Sequence, residues 1–100
     1  MTKDELNKTN SDQLNRSACS AAANYRASLR AKSSADFINK FKIVEEELDE
    51  SLFFLELVEI VNPAFKSEIE ILSKEGNELL STIVKSITTL RKNQNKNRKS

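Results

Sequence analysis

Histidine and tryptophan are absent from this sequence, and glycine, proline, cysteine, methionine and tyrosine occur once each. Without histidine the chain loses the commonest general base and metal ligand, and with it every Ser–His or Cys–His nucleophile pair. A single cysteine, Cys19, excludes an intrachain disulfide framework and any multi-cysteine metal site. Strand-rich folds need frequent turns built on glycine and proline. Ordinary usage of the two is about 7% and 5%, so one of each in 100 residues points to long helices. No secretory leader is expected, because the sequence is polar from Met1 through Arg16. The most apolar stretch, Leu52 to Val61, contains Glu56 and Glu59. It falls well short of the roughly 20 residues a membrane-spanning helix needs. These absences predict a cytoplasmic protein with no membrane partner.

What is present supports one domain with a modest core, since a chain of this size buries roughly 60–65% of its unfolded surface. Alanine, leucine, glutamate and lysine are abundant, and all suit helices. The formal net charge of +1 conceals segregation. Residues 1–42 carry 8 basic and 4 acidic groups, residues 43–78 carry 2 and 11, and residues 79–100 carry 6 and none. Antiparallel helices are expected to set the acidic centre beside basic neighbours, which favours helix pairing over a uniform nucleic-acid field.

Periodicity divides the chain into a polar lead-in (1–10), a helical domain (11–92) and a basic, disordered tail (93–100). Thr2 and Glu5 fit a capping box, but only Leu6 follows them as an apolar residue. The first clear helix spans about Ser11 to Ala31, with Leu14, Ala18, Ala21, Ala22, Tyr25 and Leu29 on one face. Its run of small residues from Ser17 to Ala23 lets another helix approach closely, which predicts a buried, inert Cys19. Ser33 or Ser34 caps a second helix whose seam is Phe37, Phe41, Val44, Leu48, Leu52, Leu55 and Val58. Asn62-Pro63 breaks it. A third helix runs from about Ala64 to Lys92, with Phe65, Ile69, Leu72, Gly76, Leu79, Ile83, Ile87 and Leu90 on a near-heptad seam. Gly76 on that seam predicts a close helix contact.

In the second helix, Leu52, Phe53, Phe54, Leu57, Ile60 and Val61 form a segment that is apolar nearly all round. Such a segment must be covered on all sides. One copy of a three-helix chain lacks that cover, so these six residues are the candidate oligomer interface. The second candidate surface is cationic: Arg16, Arg26, Arg30 and Lys32, with further cations in the tail, could contact RNA or DNA phosphates. The carboxylates Glu45, Glu46, Glu47, Asp49, Glu50, Glu56 and Glu59 lack the histidines of bundle-core di-metal sites, so they read as a solvated face or as partners for the arginines. No catalytic residue, metal site, cofactor or small-molecule substrate is expected.

Ser11-Asp12-Gln13-Leu14-Asn15-Arg16-Ser17-Ala18 resembles a "QLxRSA" stretch of the four-helix-bundle proteins associated with intervening sequences of 23S ribosomal RNA genes. The likeness continues through Ala23–Ala27, Arg30–Ser33, Ala35–Ile38 and Ile43–Glu56, and covers roughly half of the chain. The resemblance implies an antiparallel four-helix bundle forming closed homo-oligomers, typically pentamers, with no catalytic activity and a suggested link to nucleic acid. A related branch serves reverse transcriptases as an accessory subunit. That family carries a complete helix ahead of this stretch, whereas only Met1–Asn10 precede it here. Either the start lies upstream, or the bundle leaves a seam open for a partner helix.

The expected architecture is therefore an all-α, antiparallel up-down bundle of three long helices plus a short N-terminal stub. The expected role is a non-enzymatic, self-assembling scaffold or binding module. The alternative is a nucleic-acid-binding protein or reverse-transcriptase accessory subunit that uses the basic patch.

Overall fold

The structure, a computed structural model, describes the backbone of residues 1–99 and the side chains of residues 1–96. It contains three α-helices, α1 (Lys3–Ser28), α2 (Ser34–Val61) and α3 (Lys66–Lys99), with a 3-10 turn at Pro63–Phe65. The all-helical expectation holds: no strand occurs among the described residues. The molecule is a rod of 59 × 21 × 19 Å.

Local chemistry sets the boundaries. Thr2 caps α1, its hydroxyl accepting from the Glu5 amide at 3.1 Å. The polar lead-in is thus the first turns of α1, and neither a separate stub nor a frayed segment. Asp4 and Glu5 suit the positive end of the helix there. Ser33 caps α2 by accepting from the Asp36 amide at 3.0 Å, while the Asp36 carboxylate accepts from the Lys32 amide at 3.2 Å. The first bond satisfies a donor that the helix start leaves unpaired, and the second ties the preceding turn to it. Asn62 closes α2, its backbone and side-chain amides both donating to the Val58 carbonyl. Pro63 then opens the 3-10 turn, where its missing N–H costs nothing. At the far end α3 continues to Lys99, where a disordered tail was expected. Lysine, arginine and glutamine are good helix formers, and cations suit a helix C-terminus. Ser100, the last residue of that tail, lies outside the described residues.

α1 and α2 run antiparallel, as the contacts Asn7–Asn62, Ser17–Ser51 and Tyr25–Phe41 require. Leu52 meets α3 at Gly76, and Ile38, Phe41 and Val44 meet Ile83 and Ile87, so α2 and α3 are antiparallel as well. The core is centred on that α2–α3 contact. A Cβ at Gly76 would sit 2.8 Å from the Leu52 Cδ2 methyl, so the close approach predicted at Gly76 is present.

The packing of α1 differs from its apolar arc. Its buried residues are Asn10, Ser17, Ala21 and Ser28, with Leu14 and Asn24 half-buried between them. The spacing alternates 4, 3, 4, 3, 4 and traces a coiled-coil-like seam made of small and polar groups. Ala18, Ala22, Tyr25 and Leu29 lie on the neighbouring arc, about 90° round the helix, and remain exposed. Cys19 is exposed too, contrary to expectation. Close approach of the two backbones selects the smallest side chains for the contact, and that displaces the apolar arc to one side.

Candidate functional site: an open apolar groove

α1 and α3 both pack on α2 but do not meet: no Cα of α1 lies within 8 Å of one in α3 among the described residues. Between them runs a groove of about 340 Å³, floored by α2. Ala18, Ala22 and Tyr25 form one wall, Leu48 lies on the floor, and Leu79 and Ile83 form the other wall. Tyr25 and Leu79 are 47% and 49% exposed. The Tyr25 ring stacks over Phe41 at a centroid distance of 6.0 Å, which holds it upright at the groove edge.

Two features extend this wall. On α3 the expected seam splits in two. Ile69, Ile83 and Ile87 are buried against α2, while Phe65, Leu72 and Leu79 are exposed. Leu72 and Leu79 are seven residues apart and share one flank of α3, and Phe65 is exposed in the 3-10 turn just ahead of that helix. On α2, Leu55 follows Leu48 by seven residues and continues the floor; it is half-buried. The groove is therefore longer than the hollow at Tyr25 alone.

The predicted oligomer interface is distributed differently. Leu52 is 8% exposed and lies beneath Gly76, so it belongs to the intrachain core and not to a free surface. Phe53 and Ile60 are 53% and 75% exposed. They lie about 140° round α2 from Leu48 and Leu55, on the side away from the groove. Phe54, Leu57 and Val61 are half-buried, and the Phe53 and Phe54 rings meet edge to face at 5.2 Å. One protomer thus carries two separate apolar surfaces, the groove in front of α2 and the Phe53–Ile60 strip behind it. Sequence reasoning placed only the second. The signal for the first was the seven-residue recurrence of Leu72 and Leu79 outside the buried stripe.

The predicted cationic residues also part company. Arg16 turns onto α2, where its guanidinium donates to the carboxylates of Glu47, at 3.4 Å, and of Glu50. The hydrogen bond to Glu50 raises the Arg16 pKa above its ordinary value. Arg26, Arg30 and Lys32 are exposed at the α1–α2 turn, and none is ion-paired among the described residues. No three carboxylates or thiols among the described residues gather closely enough to hold a metal ion. No helix there is long and apolar enough to cross a membrane.

A scan of protein-family models and searches of curated proteins and of solved structures find no match to this chain.

Proposed function

We propose that this chain is a non-enzymatic, self-assembling binding module of the four-helix-bundle type, in keeping with its resemblance to the intervening-sequence proteins. The observation that carries the reading is the groove: three helices supply walls and floor for a fourth, and none of the described residues covers it. A helix laid there would complete an antiparallel bundle and bury Tyr25, Leu72 and Leu79 together with the small face of α1. Burial of apolar surface contributes about 25 cal/mol per Å². A standard interface covers roughly 800 Å² on each partner.

The two apolar surfaces are unlike each other and lie on different sides of α2. Contact between the front of one copy and the back of the next is heterologous, and such contacts close into rings when the rotation allows. A cyclic homo-oligomer, a pentamer on the family resemblance, is the assembly we favour.

Sedimentation velocity at tens of micromolar tests this. The wild-type chain is expected to sediment as a closed oligomer. Leu79→Lys in front and Phe53→Ser with Ile60→Ser behind should each reduce its size while leaving helix content unchanged. A monomeric wild type at that concentration refutes the reading.

A further inference from the structure

A second groove runs between α2 and α3, on the side of α2 away from the first. Two hollows make it up, of about 440 and 320 Å³, and Asp49 borders both. One wall is the α2 stripe Glu46, Asp49, Phe53 and Glu56, with Glu59 beyond it. The other is the α3 stripe Ser73, Asn77, Leu80 and Val84. Both stripes recur at threes and fours, so each keeps to one helix face, for about 20 Å on α2 and about 17 Å on α3. That length matches a helix of about 11–13 residues.

The groove is chemically one-sided. Asp49, Glu56 and Glu59 stand round the larger hollow, and no cation lines it. Neither they nor Glu46 are ion-paired among the described residues. Lys42 borders the smaller hollow, but Glu45 holds it at 3.2 Å. The α3 wall adds further acceptors. The Asn77 side-chain nitrogen donates to the Ser73 carbonyl at 2.8 Å, which leaves the Asn77 oxygen to accept. The Ser73 hydroxyl exposes less than 1 Å² and has no hydrogen-bond partner. A helical serine can donate to the carbonyl four residues back, as Ser51 and Ser86 do. Ser73 does not, and an unpaired buried polar group is costly. This hydroxyl calls for a donor independently of the carboxylates. Phe53, between Asp49 and Glu56 on the stripe, is 53% exposed. An arginine side chain answers all of these groups, since it stacks on an aromatic face and presents a fork of N–H donors to carboxylates. Leu80 and the exposed Val84 add an apolar patch at the other end.

We infer that this groove docks a basic amphipathic helix of a partner protein, with an arginine over Phe53 and an apolar residue on Leu80 and Val84. The cationic stretches of a second copy fit it less well. Arg30 and Lys32 lie beyond the end of α1. Lys85, Lys92 and Lys96 share their face of α3 with Ser81, Thr88 and Thr89, which offer no apolar group of matching size.

The test is fluorescence anisotropy of a labelled, amidated peptide of about 14 residues, titrated with the full chain at about 50 mM salt. The peptide repeats arginine and leucine at helical spacing on an alanine and glutamine background. Phe53 also belongs to the strip assigned to self-assembly, so the titration uses the Leu79→Lys chain beside the wild type. Leu79 lines the front groove, and its replacement uncovers the back of α2 while leaving the second groove intact. Binding by Leu79→Lys is required whether or not the wild type assembles. In that chain, Asp49→Asn with Glu56→Gln should weaken binding about 10-fold, each exposed pair contributing about 2–5-fold. Phe53→Ala should cost about as much. Ser73→Ala should weaken binding about 5-fold yet leave the urea midpoint unchanged or raised, since the hydroxyl has no partner in the free chain. Glu68→Gln with Glu75→Gln removes equal charge outside the groove and should change affinity less than about 2-fold. Four results overturn the inference: no binding by Leu79→Lys; no loss in the groove variants; a loss in the Glu68 and Glu75 variant as large as in Asp49→Asn with Glu56→Gln; or equal affinity for a scrambled peptide of the same composition. Self-association of Leu79→Lys without peptide, abolished by Asp49→Asn with Glu56→Gln, would assign the groove to a second copy and likewise overturn it.

Discussion

The contact at Gly76 gives the sharpest stability prediction. Gly76→Ala changes two terms of opposite sign. Replacing an interior helical glycine by alanine stabilises the helix by about 1 kcal/mol. The new methyl would lie 2.8 Å from Leu52 Cδ2 and 3.6 Å from Leu52 Cγ, where ordinary contact begins at 3.4 Å. The Leu52 methyl must therefore move by about 0.6 Å within a site that leaves it 8% exposed. Overpacking of this kind costs about 1–3 kcal/mol, so the net effect is a loss of about 1 kcal/mol. For a chain of this length that lowers Tm by about 4–8 °C. The decisive experiment places the same substitution in a Leu52→Val background, which removes the δ-methyl carbons while keeping a branched apolar side chain. There Gly76→Ala should stabilise by about 1 kcal/mol, giving a coupling of about 2 kcal/mol between the two sites. Urea unfolding followed by circular dichroism, at one fixed protein concentration because assembly shifts apparent stability, reads all four corners. Equal stabilisation in both backgrounds would show that the two helices are not in contact at this point.

Other expectations follow from the α1–α2 contact. Ser17 is fully buried, its hydroxyl 2.8 Å from that of Ser51, which also donates to the Glu47 carbonyl. Ser17→Ala should cost only about 1 kcal/mol, whereas Ser17→Leu should cost about 3 kcal/mol by forcing the helices apart. Chemical denaturation measures both, and a neutral Ser17→Leu would refute the close approach. Asn7 and Asn62 exchange two amide hydrogen bonds, at 3.1 and 2.7 Å. Asn7→Ala should speed amide exchange in the first turns of α1 while leaving the slowest-exchanging amides of α2 and α3 unchanged.

Sequence and structure agree where the side chain itself dictates the backbone. The break at Asn62-Pro63 follows from proline sterics, Ser33 from its hydroxyl, and Gly76 from its missing Cβ; each was legible. The face that α1 buries was legible only at its edge, in Leu14 and Ala21, because hydrophobicity also marks Ala18, Ala22, Tyr25 and Leu29 while backbone proximity selects Ser17 and Ser28. Cys19 went astray for the same reason: it sits among small residues but points away from the contact. On α3 a single broad apolar seam proved to be two stripes, Ile69–Ile83–Ile87 buried and Leu72–Leu79 exposed beside it, with Phe65 exposed in the turn ahead of the helix. Periodicity cannot separate stripes so close in angle until a neighbouring helix is placed. Of the six proposed interface residues, Leu52 belongs to the core because α3 crosses it at the one position without a side chain. Arg16 left the cationic set because Glu47 and Glu50 lie opposite it.

The modest side chains along α1 have one more effect, on alignment. A seam of serine, alanine and asparagine offers few large knobs to lock one helix against another, so apolar packing alone would tolerate sliding by two turns. Such a slip would set the Ser17 hydroxyl against Val44 or Val58, leaving it only the Leu14 carbonyl of its own helix at a loss of about 1 kcal/mol, and would also separate the Asn7 and Asn62 amides. The two polar pairs thus select a single alignment of α1 on α2, as a lone asparagine does in a coiled-coil seam. That alignment decides where along the rod Tyr25 stands opposite Leu79.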